Sequence, residues 1–225
     1  MKKAFTLAEV LITLGIIGVV AALTMPSLIT NYQKKAFATK LKQTYSILKN
    51  AEELSTIENG QSKDWNYNDA SGSLNITDKA AWFDTYYAPY LKANKMSKSY
   101  LYSNSANIKN MLGANPYTSS SVSASTNPSY QLANGAIVTV WSNNQFLVFA
   151  VDLNGFQRPN VIGKDIFDFE LYWRAPRSLT AGNMITDRSA AINSCKGTTY
   201  SGGAPGQCSN IIAQDGWEIK DDYPW

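Results

Sequence analysis

The sequence contains no histidine and only two cysteines in 225 residues. Histidine is the side chain that most often serves as a general base near neutral pH and as a zinc ligand, so its absence removes the commonest catalytic and metal-binding arrangements. The sequence also has no Gly-x-Ser-x-Gly motif, no phosphate-binding glycine loop and no metal-ligand spacing. Carboxylates and lysines remain available, but no arrangement singles any of them out for catalysis. We therefore predict a protein that is not an enzyme and needs no cofactor.

Charged residues are also scarce, at 16% of the chain, and the formal net charge is +3. Without Lys2 and Lys3 the count becomes 18 basic against 17 acidic residues, a net charge of +1. A broad nucleic-acid surface needs clustered lysine and arginine in clear excess, so we expect no nucleic-acid partner. The length leaves room for one domain beside a membrane anchor.

One long segment, residues 10–29, carries no charge at all: VLITLGIIGVVAALTMPSLI, twenty residues. As an α-helix it would measure about 30 Å, the thickness of a bilayer hydrocarbon core. Glu9 stands at the edge of this run, and a carboxylate beside a membrane span is costly unless it has a partner or a role. The segment therefore predicts a membrane anchor with an acid at its tip.

Two ordinary interpretations leave part of this segment unexplained. A cleaved secretory signal accounts for the basic start and for a small-residue cleavage site ending at Ala21, but not for Glu9 or for the apolar residues beyond Ala21. A plain uncleaved anchor explains the length of the run and nothing else.

The order Ala4-Phe5-Thr6-Leu7-Ala8-Glu9, followed by the apolar run, resembles the processing and methylation site of type IV prepilins and type II secretion pseudopilins. The resemblance implies cleavage by a prepilin peptidase between Ala4 and Phe5, and N-methylation of Phe5. Glu9 stands where that family keeps its glutamate, and Pro26 stands where many members carry a helix-bending proline. Ala4 departs from the glycine that usually precedes the cut.

The resemblance also implies a fold and a division of the chain. The expected fold is α+β and pilin-like: a long N-terminal helix, transmembrane in its first half, packs on a C-terminal antiparallel β-sheet head. The expected parts are a leader peptide (1–4), a membrane and assembly helix (5–29), its amphipathic continuation (30–60) and a globular head (61–225).

The function implied by the resemblance is structural. The chain would be a subunit of a bacterial type IV pilus-like or type II secretion pseudopilus filament, held in the inner membrane with its head in the periplasm or outside the cell. Its partners would be the prepilin peptidase, the inner membrane and homologous subunits. Glu9 would pair with the Phe5 amine of a neighbouring subunit; the alternative is that Glu9 lies among the lipid headgroups.

Beyond the anchor, apolar residues recur at helical spacing: Phe37, Leu41, Tyr45, Leu48, Ala51 and Leu54. This periodicity predicts an amphipathic helix with one apolar stripe, which Asn59-Gly60 ends. Together with the anchor it would form one helix over 6–58. Because Pro26 lacks a backbone donor, we expect the helix to kink or loosen there.

The rest of the chain predicts strands at 137–141, 146–151 and 166–173, with short helices after Asp78 and at 184–193. The aromatic residues at 82–90 either pack in the core or bind a sugar or partner; core packing is the commoner outcome. The Ser/Thr-rich stretch at 117–128 predicts an exposed loop, bare or glycosylated. Trp217 and Ile219 are expected to pack into the head.

Cys195 and Cys208 are the two cysteines. In an oxidising compartment they would close a loop of about 13 residues, a constraint worth about 3 kcal/mol in the chain-entropy description. The alternative, two free thiols in a cytosolic protein, is disfavoured by the anchor. Without histidine the pair predicts no zinc site.

The segment 152–165 allows two interpretations. Asp152, Asn154 and Asp165 offer oxygens that suit calcium, although the EF-hand spacing fails and calcium prefers six to eight ligands. The alternative is a plain turn, in which Asn154-Gly155 supplies the positive φ.

Two rival functions remain open. The chain would be a membrane-tethered periplasmic domain that binds a ligand or hydrolyses a substrate, or a minor subunit at a filament tip that binds DNA or a surface glycan. The tethered-domain alternative predicts activity after removal of residues 1–30, whereas a structural subunit predicts an inert head.

Overall fold

The computed structural model describes residues 6–67, 76, 78–116, 125–142, 146–172, 178–182, 185–198 and 204–225. The helices are α1 (Leu7–Asn59), α2 (Lys79–Tyr86), α3 (Tyr100–Asn104), α4 (Arg188–Lys196) and α5 (Pro205–Gln214). The strands are β1 (Ala93–Lys95), β2 (Ser129–Leu132), β3 (Ile137–Ser142), β4 (Phe146–Asp152), β5 (Ile166–Tyr172) and β6 (Leu179–Thr180). The chain divides into two compact units, Met1–Ala36 and Phe37–Trp225.

α1 is one helix across 53 residues and confirms the helix predicted over 6–58. In the second unit one side of α1 is buried, and the buried residues are Ala38, Leu41, Thr44, Leu48, Ala51, Glu52 and Ser55. The prediction that Leu54 belongs to this stripe is wrong, because Leu54 is 49% exposed. The stripe continues from Ala51 to Ser55, a spacing of four residues, and each residue turns the helix by about 100°. Leu54 therefore points away from the core.

All six strands form one antiparallel sheet in the order β1-β2-β3-β4-β5-β6. This arrangement confirms the predicted α+β layout of a long N-terminal helix with an antiparallel sheet. The three predicted strands correspond to β3, β4 and β5, and their register places Phe149 between Val140 and Phe169. The Phe169 ring meets Tyr45 of α1 with centroids 5.3 Å apart, so the second half of α1 packs on this face of the sheet.

The aromatic residues of α2 and the following turn mostly belong to the core of the head. Trp82, Phe83 and Tyr87 are at most 4% exposed, and the Tyr87 ring lies 4.9 Å from the ring of Phe149. Asp78 caps α2 as predicted, since its side chain accepts a hydrogen bond from the Ala81 amide at 2.9 Å. Core packing therefore describes these three residues.

The C-terminal helices differ from expectation. The helix predicted at 184–193 is α4, and it begins only at Arg188 because Asp187 caps it, accepting from the amides of Ser189 and Ala190. α5 was not predicted at all; Pro205 stands in its first turn, where a missing backbone donor costs nothing. Residues 117–124 of the Ser/Thr-rich stretch and 143–145 of the β3–β4 turn lie outside the described residues.

Candidate functional site

The processing residues Ala4 and Phe5 lie outside the described residues, but Glu9 does not. The amide and the hydroxyl of Thr6 each donate a hydrogen bond to Glu9 Oε2 at 2.8 Å. In return, the Glu9 amide donates to the Thr6 hydroxyl oxygen at 3.2 Å. This reciprocal arrangement is a capping box, which satisfies the free amides at the start of a helix. The sequence analysis did not predict this capping box, although the Thr6-x-x-Glu9 spacing that indicates it is present in the sequence.

The apolar part of α1 is one candidate membrane span. Its most apolar 18-residue window has a mean hydropathy of 2.3, and none of that window is buried within the structure. Leu7, Leu23 and Leu28 are each more than 70% exposed. Such a surface needs either lipid or other protein to cover it.

Threonine hydroxyls within this segment are bonded to their own helix. Thr13, Thr24 and Thr30 donate to carbonyls three or four residues earlier at 2.9 Å, and Thr30 donates to Pro26. A hydroxyl that is already bonded costs less to place in an apolar environment. Pro26 lies within the helix span, and the kink expected there stays a prediction.

In the second unit, Glu52 joins α1 to the edge strand β6. It is 2% exposed and accepts a hydrogen bond from the Leu179 amide, 3.1 Å from Oε1. Lys49 pairs with the same carboxylate at 2.6 Å and also contacts the Ser178 hydroxyl. A buried carboxylate is costly without such partners, so this group fixes the helix against the end of the sheet.

We predict that Glu52→Ala lowers the free energy of unfolding by about 2 kcal/mol, because the Leu179 amide and the Lys49 ammonium lose their partner. The adjacent carboxylate of Glu53 is exposed, so Glu53→Ala should change stability by less than about 0.5 kcal/mol. Denaturant unfolding of both full-length variants in detergent, followed by tryptophan fluorescence, measures the difference. Equal losses in the two variants would contradict this role for Glu52.

The C-terminal segment after α5 holds α1 through aromatic contacts. Trp217 lies 5.2 Å from the ring of Tyr45, and Trp225 lies 5.7 Å from the ring of Phe37. Trp217 and Ile219 pack against the core, as predicted. Both ends of the segment therefore reach the same helix.

The disulfide expected between Cys195 and Cys208 is formed. Both residues are fully buried, and the bond joins α4 to α5. Tyr223 lies beside it, with its hydroxyl 3.6 Å from Cys195 Sγ, and donates to the Gly163 carbonyl at 2.6 Å. A Cβ at Gly163 would stand 2.9 Å from Cys208 Sγ, and the φ of Gly163 is +81°, so only glycine fits without rearrangement.

Arg188, the first residue of α4, ties the C-terminal segment to that helix. Its guanidinium makes a two-pronged contact with Asp215 at 3.0 and 2.7 Å, and a second one with Asp222 at 2.7 and 2.9 Å. The Arg188 hydrogen bonds hold the pKa of Asp222 below its usual value. Planar, paired contacts of this kind are the strongest that arginine makes with carboxylates.

Two buried carboxylates hold the loop that follows β4. Asp152 accepts from the amides of Asn154 and Gly155 at 3.1 and 2.9 Å. Asp165 accepts from the amides of Asn160 and Val161 at 2.7 and 2.5 Å. The predicted turn is formed, with a φ of +65° at Gly155, whereas the calcium alternative stays a prediction. Across the part of the chain that the structure describes, no three His, Cys, Asp or Glu side chains converge as a metal site.

The Tyr100 hydroxyl links this loop to α3. Asp152 Oδ2 lies 2.5 Å from the hydroxyl oxygen, and the Gly155 carbonyl lies 2.6 Å from it. A phenol has one proton and can donate to only one of these acceptors. A neutral Asp152 carboxyl would donate to Tyr100, which would then donate to Gly155. Burial raises the pKa of Asp152 to about 7, although the hydrogen bonds that its carboxylate accepts from Tyr100 and the loop amides act in the opposite direction.

Residues 27–225, most of the chain, match a family described as a family of unknown function, DUF6613. The chain belongs to DUF6613. No curated protein and no solved structure matches it.

The DUF6613 match covers all of the head and begins one residue after Pro26. Thr6, Glu9 and most of the apolar run therefore lie outside the matched range. The family description gives no function and indicates neither a pilin nor a pseudopilin. The family match therefore gives no information about the function of residues 1–26.

An open groove of about 530 Å³ runs beside β1 and β2, lined by Leu91, Lys92, Ala93, Asn94, Gln131, Leu132, Ala133 and Gly135. Lys92 is the one charged residue of that lining. General acid–base chemistry needs a positioned pair of titratable groups, which this groove does not provide.

We predict that the DUF6613 head becomes less stable as the pH rises from 5 to 8. Burial raises the pKa values of Asp152, Asp165 and Asp168, so the folded head binds more protons than the unfolded chain between pH 4 and about 7. Because the folded state binds the extra protons, the free energy of unfolding falls as the pH rises through this range. We expect a melting temperature about 5 °C lower at pH 8 than at pH 5.

The matched variant for this measurement is Asp152→Asn, whose amide can replace the neutral carboxyl toward Tyr100. Its melting temperature should depend less on pH, with part of the slope remaining from Asp165 and Asp168. Asp221→Asn, at an exposed carboxylate, should keep the full dependence. A slope unchanged in Asp152→Asn would refute the assignment to Asp152.

Proposed function

We propose that this protein is a structural subunit of a bacterial filament of the type IV pilus or type II secretion pseudopilus kind. The observation that carries the proposal is the Ala4-Phe5-Thr6-Leu7-Ala8-Glu9 segment, placed directly before an uncharged run of twenty residues. That run forms the exposed part of α1, and the buried stripe of the same helix packs on an antiparallel sheet. This is the layout that a pilin-like subunit requires.

One apolar helix serves both the stored and the assembled state in this proposal. In the inner membrane, lipid covers the exposed leucine, isoleucine and valine side chains, with the head in the periplasm or outside the cell. In the filament, the same side chains of neighbouring subunits cover one another. A helix satisfies its own backbone hydrogen bonds in either environment, so transfer from lipid to protein leaves few polar groups unpaired.

Processing would create a positively charged amine that can pair with the Glu9 carboxylate. Cleavage by prepilin peptidase between Ala4 and Phe5 leaves an amine on Phe5, which stays positive after N-methylation. Both capping bonds from Thr6 end on Glu9 Oε2, and Oε1 takes no part in them. Oε1 is therefore suited to accept from the Phe5 amine of a neighbouring subunit, where the two charges offset each other away from water.

The first test is the N-terminal peptide of the native, membrane-extracted protein, measured by mass spectrometry. We expect N-methyl-Phe5 as the first residue. A chain that still begins at Met1 would reduce the segment to a plain anchor. A chain that begins near Ala22 would indicate a secreted domain and would favour a ligand-binding or hydrolytic function instead.

A further inference from the structure

The loop between β4 and β5 presents a short exposed tip. Phe156 is 66% exposed, and Gln157, Arg158 and Pro159 are exposed as well. The Phe156 ring meets the ring of Tyr100 edge-on, with the two centroids 5.7 Å apart. A large aromatic side chain held in water without cover is the kind of feature that marks an interaction surface.

This tip is held by two buried acidic side chains. Asp152, 1% exposed, fixes the start of the loop through two amides, and Asp165, fully buried, fixes its end through two more. Backbone bonds between Lys109 and the residues Asn160 and Ile162 secure the same end. Because buried carboxylates are costly, their use here indicates a loop whose fixed shape matters. A fixed loop loses little entropy on binding.

The exposed residue types suit a protein partner. Phenylalanine and arginine are enriched at the centres of protein interfaces, whereas lysine and glutamate are depleted there. Among the described residues, no acidic side chain lies within ion-pair distance of Arg158 in the same chain. The charge on Arg158 is thus available to a second molecule.

The complementary surface is present on the same protein. The segment 215–225 carries exposed carboxylates at Glu218, Asp221 and Asp222, and only Asp222 is engaged by Arg188. Trp217 and Trp225 flank these acids; each packs against the core and keeps part of its surface exposed. The segment therefore offers both negative charge for a guanidinium and aromatic surface for a phenyl ring.

We propose that the loop 153–163 docks on a second copy of this chain, with Arg158 against Glu218 and Asp221 and with Phe156 against the flanking tryptophans. The two surfaces differ, so each copy keeps one loop and one acidic segment free after the first contact. Contacts between unlike surfaces repeat along a chain of subunits and build filaments where the rotation does not close. This inference rests on the proposed function and names the head contact within it.

The test uses the full-length protein in the membranes of the producing cell, with the photoreactive residue p-benzoylphenylalanine in place of Phe156. Irradiation should give a dimer on a denaturing gel, and trypsin should release the peptide that carries position 156 joined to peptide 197–220 or 221–225 of the second copy. Arg158→Glu and Asp221→Lys should each lower the dimer yield about two- to fivefold, the range for one exposed charge pair. The two changes together restore an opposite pair and should recover the yield.

Two controls separate this inference from the proposed function. Lys98→Glu reverses another exposed charge and should leave the yield unchanged. The photoreactive residue placed at Ile16, which is 60% exposed on the apolar helix, reports helix packing alone. Dimers from position 16 without dimers from position 156 would overturn the docking and leave the filament standing. Cross-links from position 156 to lipid, glycan or a different protein would also overturn it, and dimers from neither position would overturn both proposals.

Discussion

Glu9→Ala should abolish filaments while leaving membrane insertion and peptidase cleavage intact. Insertion depends on the apolar run, which the substitution does not touch, and cleavage depends on the residues around Ala4 and Phe5. In the proposed filament, assembly depends on an ion pair between subunits, and removing one partner would leave the Phe5 amine buried and unpaired, a cost of about 3–5 kcal/mol per contact. Repeated at every subunit, that cost should reduce the filament yield below detection by electron microscopy of sheared material.

The capping box makes a second variant necessary, because Glu9→Ala also removes the cap on α1. Glu9→Gln keeps the cap, since glutamine serves in a capping box as glutamate does, but it removes the charge. We expect Glu9→Gln to fail in assembly as completely as Glu9→Ala. Glu53→Ala, which removes an exposed carboxylate from the second half of the same helix, should assemble normally.

The filament yields of these two variants distinguish the possible roles of Glu9. Filaments from Glu9→Gln but not from Glu9→Ala would assign Glu9 to helix capping alone. Normal filament yield from both variants would place Glu9 among the lipid headgroups, without a role in assembly.

Replacing both Cys195 and Cys208 by alanine should lower the free energy of unfolding by about 3 kcal/mol, from the loss of the closed loop. For a chain of this size that corresponds to a fall of about 6–12 °C in melting temperature. The C-terminal segment should loosen first, because Tyr223 packs beside the bond and holds Gly163. Tryptophan fluorescence, to which Trp217 and Trp225 contribute two of the six side chains, reports that step.

The matched control is chemical. A reductant should lower the stability of the native protein by the same amount, and it should leave the double-alanine variant unchanged. If the double-alanine variant proves as stable as the native protein, the bond is not what holds α4 to α5, and packing of Ile211 and Ile212 would carry that contact.

The strongest sequence signals were those that combine length with periodicity. The run at 10–29 and the stripe from Phe37 to Ala51 placed α1 to within one residue at each end. β-branched and aromatic runs placed β3, β4 and β5. The prediction for Leu54 was wrong because helical periodicity allows a step of either three or four residues after Ala51. Packing against the head selects the four-residue step to Ser55.

Other elements had weak local signals. α5 is short, and its sequence PGQCSNIIAQ contains few strong helix formers; its packing against β5 and the disulfide stabilises it. In the sequence Glu52 is simply one of two adjacent glutamates, and its burial depends on a strand more than 120 residues away. The residues next to Glu52 in the sequence give no indication of such a distant partner. The Thr6–Glu9 capping box, by contrast, could have been predicted from its Thr-x-x-Glu spacing.

The edges of the sheet have a consequence for how such heads can coexist at high density. β1 has three residues and β6 has two, and the Leu179 amide on β6 is already taken by Glu52. Edge strands this short, one of them with an amide already hydrogen-bonded, offer few free backbone groups to a neighbouring strand. If heads lie side by side as in the proposed filament, they would therefore touch through side chains rather than extend one sheet from copy to copy.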